Sequence, residues 1–374
     1  MRVRLSTYST KPRGGVVHTL ALAEALARAG HDVEVWALSR GGDTAFFRAV
    51  DPRVRTRLVA VDERDGESVG ERIVRSIALL RDALVGADTV DVRHAQDCLT
   101  ANAEGAAAGY GDLWRTVHHL DTFTTPELVA CHERAVVEPA ALVCVSSAVA
   151  AEVRAGWGRE ATVIGNGVDA ARFAAAAEAG AGAPWRERHG RYVLAVGGIE
   201  PRKGTADLVE AMARLSPVGG SRTPLLVAGG DTLFDHRPYR AEVLARADAL
   251  GVAPVVLGPV DDAVLPGLVA GASAFAFPST KEGFGLAAME ALAAGVPLVT
   301  RDLPVLREVF SASARFAPDG PGFAAAFATT LGEALEASDP VRTAAGRALA
   351  ASHSWDTAAG AHLTRYRRGI TAAP

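Results

Sequence analysis

Residues Pro278 to Glu290 read P-S-T-K-E-G-F-G-L-A-A-M-E, and the order of residue types there decides the fold. The apolar run before them, Ala274-Phe275-Ala276-Phe277, reads as a buried parallel strand. Pro278 and Ser279 stop that strand. Gly283 and Gly285 then let the backbone approach a ligand, or take φ > 0, without a Cβ clash. From Leu286 the spacing Leu286, Met289, Leu292, Ala293 predicts a helix. The segment is therefore strand, glycine turn, helix, with free N–H groups at the helix start. In open α/β sheets the loops at the carboxyl ends of parallel strands bind ligands. Glu282 sits in this loop. Glu290 sits in the helix among Ala287, Ala288, Met289, Ala291 and Leu292, and a carboxylate in so apolar a stretch calls for a partner.

The spacing E-x₇-E around G-F-G, with the strand before it and the helix after it, resembles the signature of the retaining nucleotide-sugar glycosyltransferases of family 4, also called glycosyl transferases group 1. That resemblance implies the GT-B fold: α/β, with two Rossmann-like doubly wound domains facing a cleft.

Length and composition fit that expectation. The chain has 374 residues, too many for one ordinary core and enough for two domains. Hydrophobic residues make up 49% and charged residues 22%, a soluble globular composition. A net charge of −4 gives no bulk electrostatic case for nucleic acid, so any phosphate site must be a local cluster. Cys98, Cys131 and Cys144 lack metal-ligand spacing and read as reduced thiols. The opening M-R-V-R-L-S-T-Y has no apolar signal core, and the longest apolar tract, Leu286 to Val299, is broken by Glu290, Gly295 and Pro297. A cytoplasmic protein is expected. Among 39 basic residues only Lys11, Lys203 and Lys281 are lysine, each in a Gly/Pro-rich turn, which suggests point-charge contacts to phosphate or hydroxyl.

In chain order, Arg2 to Thr7 alternates as a first strand, S-T-K-P-R-G-G is a turn, and Val16, Leu20, Leu22 and Leu26 mark a helix ending at Gly30. H-D-V-E-V-W-A-L is the second strand. This βαβ opening places its glycines where a diphosphate could sit on a helix N-terminus. G-x-G-x-x-G is absent here and after the later strand at Tyr192, which disfavours a nicotinamide dehydrogenase. By resemblance, Gly14 and Gly15 would lie against the donor diphosphate. Arg55 to Val61 reads as a strand and Glu71 to Val85 as an amphipathic helix. Its Arg72, Arg75 and Arg81 raise contact with an anionic membrane or a lipid-linked acceptor, against the ordinary reading of a surface helix. Two strands then end in histidine, at His94 and at His118-His119. His94 reads as structural. The T-V-H strand end resembles the family's histidine facing the donor sugar, which gives His118 by register and His119 as the fallback.

Ala141 to Val145 is a strand and Ser146 or Ser147 caps the next helix. A-T-V-I-G-N-G-V-D, Ala161 to Asp169, resembles the family's interdomain stretch. These readings set the expected domains: an acceptor-side domain over 1–170, a linker over 171–190, a nucleotide-sugar domain over 191–354, and a terminal helix over 355–374 crossing back to the first domain. The second domain opens with Y-V-L-A-V-G-G-I-E-P-R-K-G. Arg202 and Lys203 stand in the turn before a helix at Thr205 to Leu215, as a diphosphate clamp requires. The family usually has an arginine after the first glycine; here Gly198 stands there, so that contact is missing or passes to Arg202. Helices are also read at Arg240 to Leu250 and Asp261 to Val269, and the loop Gly258 to Val260 would border the nucleotide base.

The implied function is glycosyl transfer from a nucleoside-diphosphate sugar to an acceptor hydroxyl of a small molecule, glycan or lipid-linked glycan, with retention and without metal or other cofactor. His118, Glu282, Arg202 and Lys203 would serve the reacting centre. Gly14, Gly15, Val260, Gly283, Phe284, Gly285, Leu286 and Glu290 would complete the donor site, with Glu290 on the ribose. The rivals are an epimerase or phosphorylase on the same fold, a dehydrogenase, and a two-domain solute-binding protein.

Overall fold

The structure, a computed structural model, describes residues 1–216, 222–230 and 236–372. The chain divides into two units: Met1–Gly167 with Trp355–Pro374, and Val168–Ser354. Each is built around a parallel sheet.

Among the described residues the first unit has seven strands: β1 Arg2–Thr7, β2 Asp32–Arg40, β3 Val54–Val61, β4 Val92–Ala95, β5 Leu113–Val117, β6 Ala141–Cys144 and β7 Thr162–Val163. Their order is β3-β2-β1-β4-β5-β6-β7, parallel throughout. The order reverses between β1 and β4, so their carboxyl ends open a crevice that no crossover covers. Strands buried on both faces must be apolar along their length, and Val3, Leu5, Val33, Val35 and Leu38 are fully buried. The helix Val69–Val85 starts on a capping box, with Ser68 and Glu71 satisfying each other's backbone. The terminal helix Trp355–Ala372 packs on the first helix, Gly14–Arg28.

The second unit has six described strands: β8 Val193–Val196, β9 Leu225–Ala228, β10 Val255–Gly258, β11 Ala274–Phe277, β12 Leu298–Arg301 and β13 Ala314–Ala317. Their order, β10-β9-β8-β11-β12-β13, repeats the plan of the first unit, with the reversal between β8 and β11. β11 and the helix Leu286–Ala293 follow the sequence pattern, with Ala288, Met289, Ala291, Leu292 and Ala293 all buried.

Two expectations need correction. The stretch 171–190 is not an open linker but two helices, Ala170–Glu178 and Ala183–His189, inside the second unit. Its alanines are strong helix formers, and the Asp169 carboxylate caps the first helix by accepting from Arg172 N at 3.3 Å. The helix expected from Asp261 begins at Leu265, because Asp261 accepts from Ala263 N at 2.8 Å and holds a turn there. Four residues, A-R-F-A, form β13, too short a run to show a period. Helices Cys98–Ala108 and Pro126–Val137 also went unread. Cys98, Cys131 and Cys144 form no disulfide.

Candidate functional site

In the second unit the loops after β8 and β11 meet at the point where strand order reverses. After β8 the chain runs through Gly197 to Glu200 into a tight turn, Pro201–Lys203, then Gly204 and the helix Thr205–Arg214. Gly204 has φ 65°, and a Cβ there would lie 2.3 Å from the Pro278 carbonyl oxygen, so only glycine allows the two loops this approach. Arg202 O accepts from Thr280 N at 2.9 Å, a backbone stitch across the same gap. Arg301 braces Pro278 from below. Its Nε donates to Pro278 O at 3.0 Å while its guanidinium lies 3.5 Å over Phe323 and pairs with Asp207 and Asp319.

The charges of these loops are drawn together. Lys203 Nζ lies 2.6 Å from Glu282 Oε1, and an Arg202 nitrogen lies 3.3 Å from the same oxygen. Arg202 also pairs with Glu200 at 2.9 Å. The two cations read from sequence as a phosphate clamp are therefore already in contact with two carboxylates, and Glu282 is only 9% exposed. Gly285, with φ 96°, caps the next helix; a Cβ there would sit 2.9 Å from the Phe310 ring. Gly283 has no positive φ, and Phe284 packs toward His353 with ring centres 5.7 Å apart.

Glu290 is held differently. Burial pushes its carboxyl up to about 8, with Arg172 opposing and Asp262 and Asp169 adding to the rise. Arg172 is itself paired with Asp262 at 3.0 Å. Among the described residues the Glu290 carboxyl makes no hydrogen bond or ion pair, so none of them supplies the partner its apolar setting calls for. Val260, half-buried after β10, leads into Asp261-Asp262, which brings its loop to the surroundings of Glu290. Leu286 is half-buried at the helix start.

In the first unit, β5 ends at His118. A Cβ added to Gly15 would lie 3.5 Å from the His118 ring, and the ring stands edge-on to His18 with centroids 4.7 Å apart. His118 is thus the histidine that meets the glycine turn. His119 instead bonds Asp121 at 2.9 Å. Behind His118 lies a buried aromatic stack. His18 Nδ1 bonds Asn166 Oδ1 at 2.9 Å, and the ring contacts Trp355 and His362 of the terminal helix at 5.3 and 6.3 Å. Burial, reinforced by His362, lowers His18 to about 3, and burial lowers His362 to about 4. His118 is pushed well below 6.5, by burial first and then by His18 and Arg115. The stack is neutral at neutral pH, so His118 can exchange hydrogen bonds but brings no charge. His94, read as structural, bridges Thr116 at 2.7 Å and Tyr366 at 2.6 Å. Gly14 opens the first helix with nothing within 4 Å of its would-be Cβ, so its freedom serves no internal contact.

Sequence reading missed Glu200, Arg172, Asp262 and Asn166. Asn166 and Glu200 lie inside stretches read for other features, and Arg172, Asp262 and Asn166 matter through partners distant in sequence. The cationic face expected on the helix Val69–Val85 is largely cancelled, with Arg75 paired to Glu67 at 2.5 Å and Arg81 to Asp82 at 2.6 Å. Lys11 is paired with Asp43 at 2.7 Å. No described helix is long and apolar enough to cross a membrane.

Each unit matches a family of known proteins. The family profile of glycosyl transferases group 1 matches residues 185–345, and that of Glycosyltransferase Family 4 matches residues 12–172. The chain is 31% identical to a glycogen synthase of Mycobacterium tuberculosis over 363 residues, covering 87% of this chain and 84% of that protein. It is 30% identical to a phosphatidyl-myo-inositol mannosyltransferase of Mycolicibacterium smegmatis over 342 residues, covering 85% and 81%. Among solved structures, sucrose-phosphate synthase from Thermosynechococcus elongatus matches over 100% of both chains with a TM-score of 0.79 at 19% identity, a likeness of fold.

Proposed function

We infer the reaction from one premise: the chain belongs to the GT-B glycosyltransferases of group 1 and family 4. The proposed reaction moves a sugar from a nucleoside-diphosphate sugar to an acceptor hydroxyl, with retention of configuration and with neither metal nor other cofactor. The observation that carries this reading is the convergence of Lys203 and Arg202 on Glu282, eight positions before the partnerless carboxyl of Glu290.

In this proposal Arg202, Lys203 and the N–H groups from Gly283 through Leu286 hold the diphosphate and stabilise its charge as it leaves. Glu282 exchanges its cations for a hydroxyl of the transferred sugar. Glu290 takes the ribose hydroxyls, with Phe284 filling the floor between, and Val260 borders the base. Gly14 and Gly15 are assigned to the diphosphate and neutral His118 to the donor sugar. The bond from the anomeric carbon to the diphosphate breaks, the bond from the acceptor oxygen forms on the same face, and the acceptor proton passes to a diphosphate oxygen. Charge that Mg²⁺ supplies elsewhere comes here from Arg202 and Lys203. One relative is named a glycogen synthase and another a phosphatidyl-myo-inositol mannosyltransferase, and the acceptor proposed here is a hydroxyl of a small molecule, glycan or lipid-linked glycan. Cytoplasmic location is proposed with it.

Melting of the full chain tests the reading. Stabilisation by UDP, GDP or ADP but not by NAD is expected. Sugar transfer should persist in EDTA; complete loss in EDTA, restored by Mg²⁺ or Mn²⁺, would overturn metal independence.

A further inference from the structure

At the carboxyl edge of the first unit's sheet lies a group of arginines that the proposed reaction leaves unused. Arg40 ends β2. Arg13 precedes the helix Gly14–Arg28 with extended backbone (φ −117°, ψ 149°), and its side chain makes no capping bond. Arg72 sits in the first turns of the helix after β3. In a parallel sheet all three positions fall on one edge, the edge that also carries Gly14, Gly15 and His118. Arg40 reaches the helix, donating to Ser76 Oγ at 3.0 Å, while Ser76 Oγ donates to Arg72 O at 2.6 Å. The Nε atoms of Arg40 and Arg72 are buried and make no hydrogen bond, and neither residue forms an ion pair among the described residues.

The carboxylates nearby are engaged elsewhere. Glu67 holds Arg75 through two hydrogen bonds, of 2.5 and 2.7 Å, Glu71 closes the capping box with Ser68, and Asp43 holds Lys11. Arg40 is pushed below its usual range by burial first, then by the charges of Arg72, Arg13 and Arg75, with Tyr8 opposing. Like charges gathered in a partly buried place, where Arg40 and Arg72 form no ion pair among the described residues, favour the arrival of an anion.

We propose that Arg13, Arg40 and Arg72 form a subsite for a phosphate group carried by the acceptor. Guanidinium groups suit a tetrahedral dianion because each offers paired donors in a fixed fork. The acceptor role rests on the transferase reading above; the anion site rests on the arginines alone. The group could belong to a soluble sugar or polyol monophosphate or to a lipid headgroup, and the chemistry at the arginines is the same.

The test uses the full chain, with inorganic phosphate as probe. Calorimetry should show phosphate binding that Arg40→Gln and Arg72→Gln each weaken about tenfold, the loss of one charge-assisted hydrogen bond. Arg81→Gln, on the same helix but paired with Asp82, should leave it unchanged. In the absence of phosphate both variants should melt no lower than the parent, since repulsion is relieved, and UDP, GDP or ADP affinity should be unaffected. Kinetically, a panel of hexose and polyol monophosphates should be preferred over the same molecules without phosphate, and the preference should collapse in Arg40→Gln. If no soluble member is used, vesicles containing phosphatidic acid should bind the parent and not the variants, which assigns the phosphate to a lipid. Equal phosphate and vesicle binding by parent and variants, lower melting of both variants, or a parallel loss of nucleoside-diphosphate affinity would overturn the subsite. Loss of nucleotide stabilisation in the parent itself would instead strike the transferase reading.

Discussion

The two sheets have the same strand order and each gathers arginine or lysine at its carboxyl edge, yet the charges are managed in opposite ways. In the second unit Arg202 and Lys203 are met by Glu200 and Glu282 within 3.3 Å. In the first, Arg40 and Arg72 form no ion pair among the described residues. A paired cluster is preorganised, and its ligand must displace a carboxylate. An unpaired one is strained until its ligand comes, and gives that strain back as affinity. Titratable groups divide the same way. Glu290 is raised and His18 lowered, so at neutral pH the His18 stack is uncharged and Glu290 is largely protonated.

The largest effect expected is on Glu290. Its carboxyl makes no hydrogen bond or ion pair among the described residues and is assigned to the ribose, which does not react. Its loss should appear in donor binding and not in turnover. A charged hydrogen bond is worth roughly 1.5–3 kcal/mol, so Glu290→Ala at pH 9 should raise the donor KM about 10- to 150-fold with kcat little changed. Equal binding of free nucleoside diphosphate by parent and variant would remove the ribose assignment.

Next comes acid sensitivity of the first unit. His18 has its folded value lowered from 6.5 to about 3, so the unfolded chain binds more protons between those values. Stability from this group is complete above 6.5 and is lost as pH falls below it. At pH 5 the loss is about 2 kcal/mol. Four of the five tryptophans, Trp36, Trp114, Trp157 and Trp355, lie in the first unit, so their fluorescence reports its unfolding in urea. Between pH 7 and pH 5 the parent should lose about 2 kcal/mol more than His18→Asn; equal losses would show that His18 does not carry the sensitivity.

What could be read from sequence, and what could not, follows the same division. The strand, glycine turn and helix at Ala274 to Ala293 were legible because burial imposes a period and φ > 0 at Gly285 demands glycine. Arg202, Lys203 and Glu282 were legible because they lie beside those turns. Their mutual pairing was not, since Lys203 and Glu282 are 79 positions apart and only the sheet order brings them together. Arg40 and Arg13 carried no pattern; one ends a strand and the other precedes a helix, and each reads as an ordinary surface cation. The helices at 171–190 are hard to read because their alanine-rich runs bury little apolar surface and show no strong period.

A smaller effect, of opposite sign in pH to that of His18, comes from Glu290. Its folded value is raised from 4.5 to about 8, so the folded chain holds the extra proton and stability from this group falls as pH rises between those values. Ribose hydroxyls donate, and so favour the ionised form. Donor affinity should therefore tighten about tenfold from pH 7 to pH 9, as the ionised fraction grows from about a tenth to about nine-tenths. Calorimetry on Glu290→Gln should find that slope gone.

The smallest effect separates the paired cluster from the unpaired one most sharply. Glu282 holds Lys203 at 2.6 Å and Arg202 at 3.3 Å, so a diphosphate has to take these cations from a carboxylate. Glu282→Gln keeps the shape and removes the competitor. Free nucleoside diphosphate should then bind the variant more tightly than the parent, about threefold, the modest gain expected because a paired cation is exchanged for another pair rather than created. Turnover should move the other way, because the proposed hydroxyl contact to the transferred sugar is weakened as the anomeric bond breaks, and the loss should depend on the sugar carried by the donor. A second arm guards against mere loosening of the loop: Glu200→Gln removes one of the two carboxylates that pair with Arg202 and leaves Lys203 with Glu282, so it should tighten the diphosphate less than Glu282→Gln, without the sugar-dependent fall in kcat. If Glu282→Gln weakens the free diphosphate, the carboxylate positions the two cations for phosphate instead of competing with it. The contrast between the two edges would then be one of timing and not of charge.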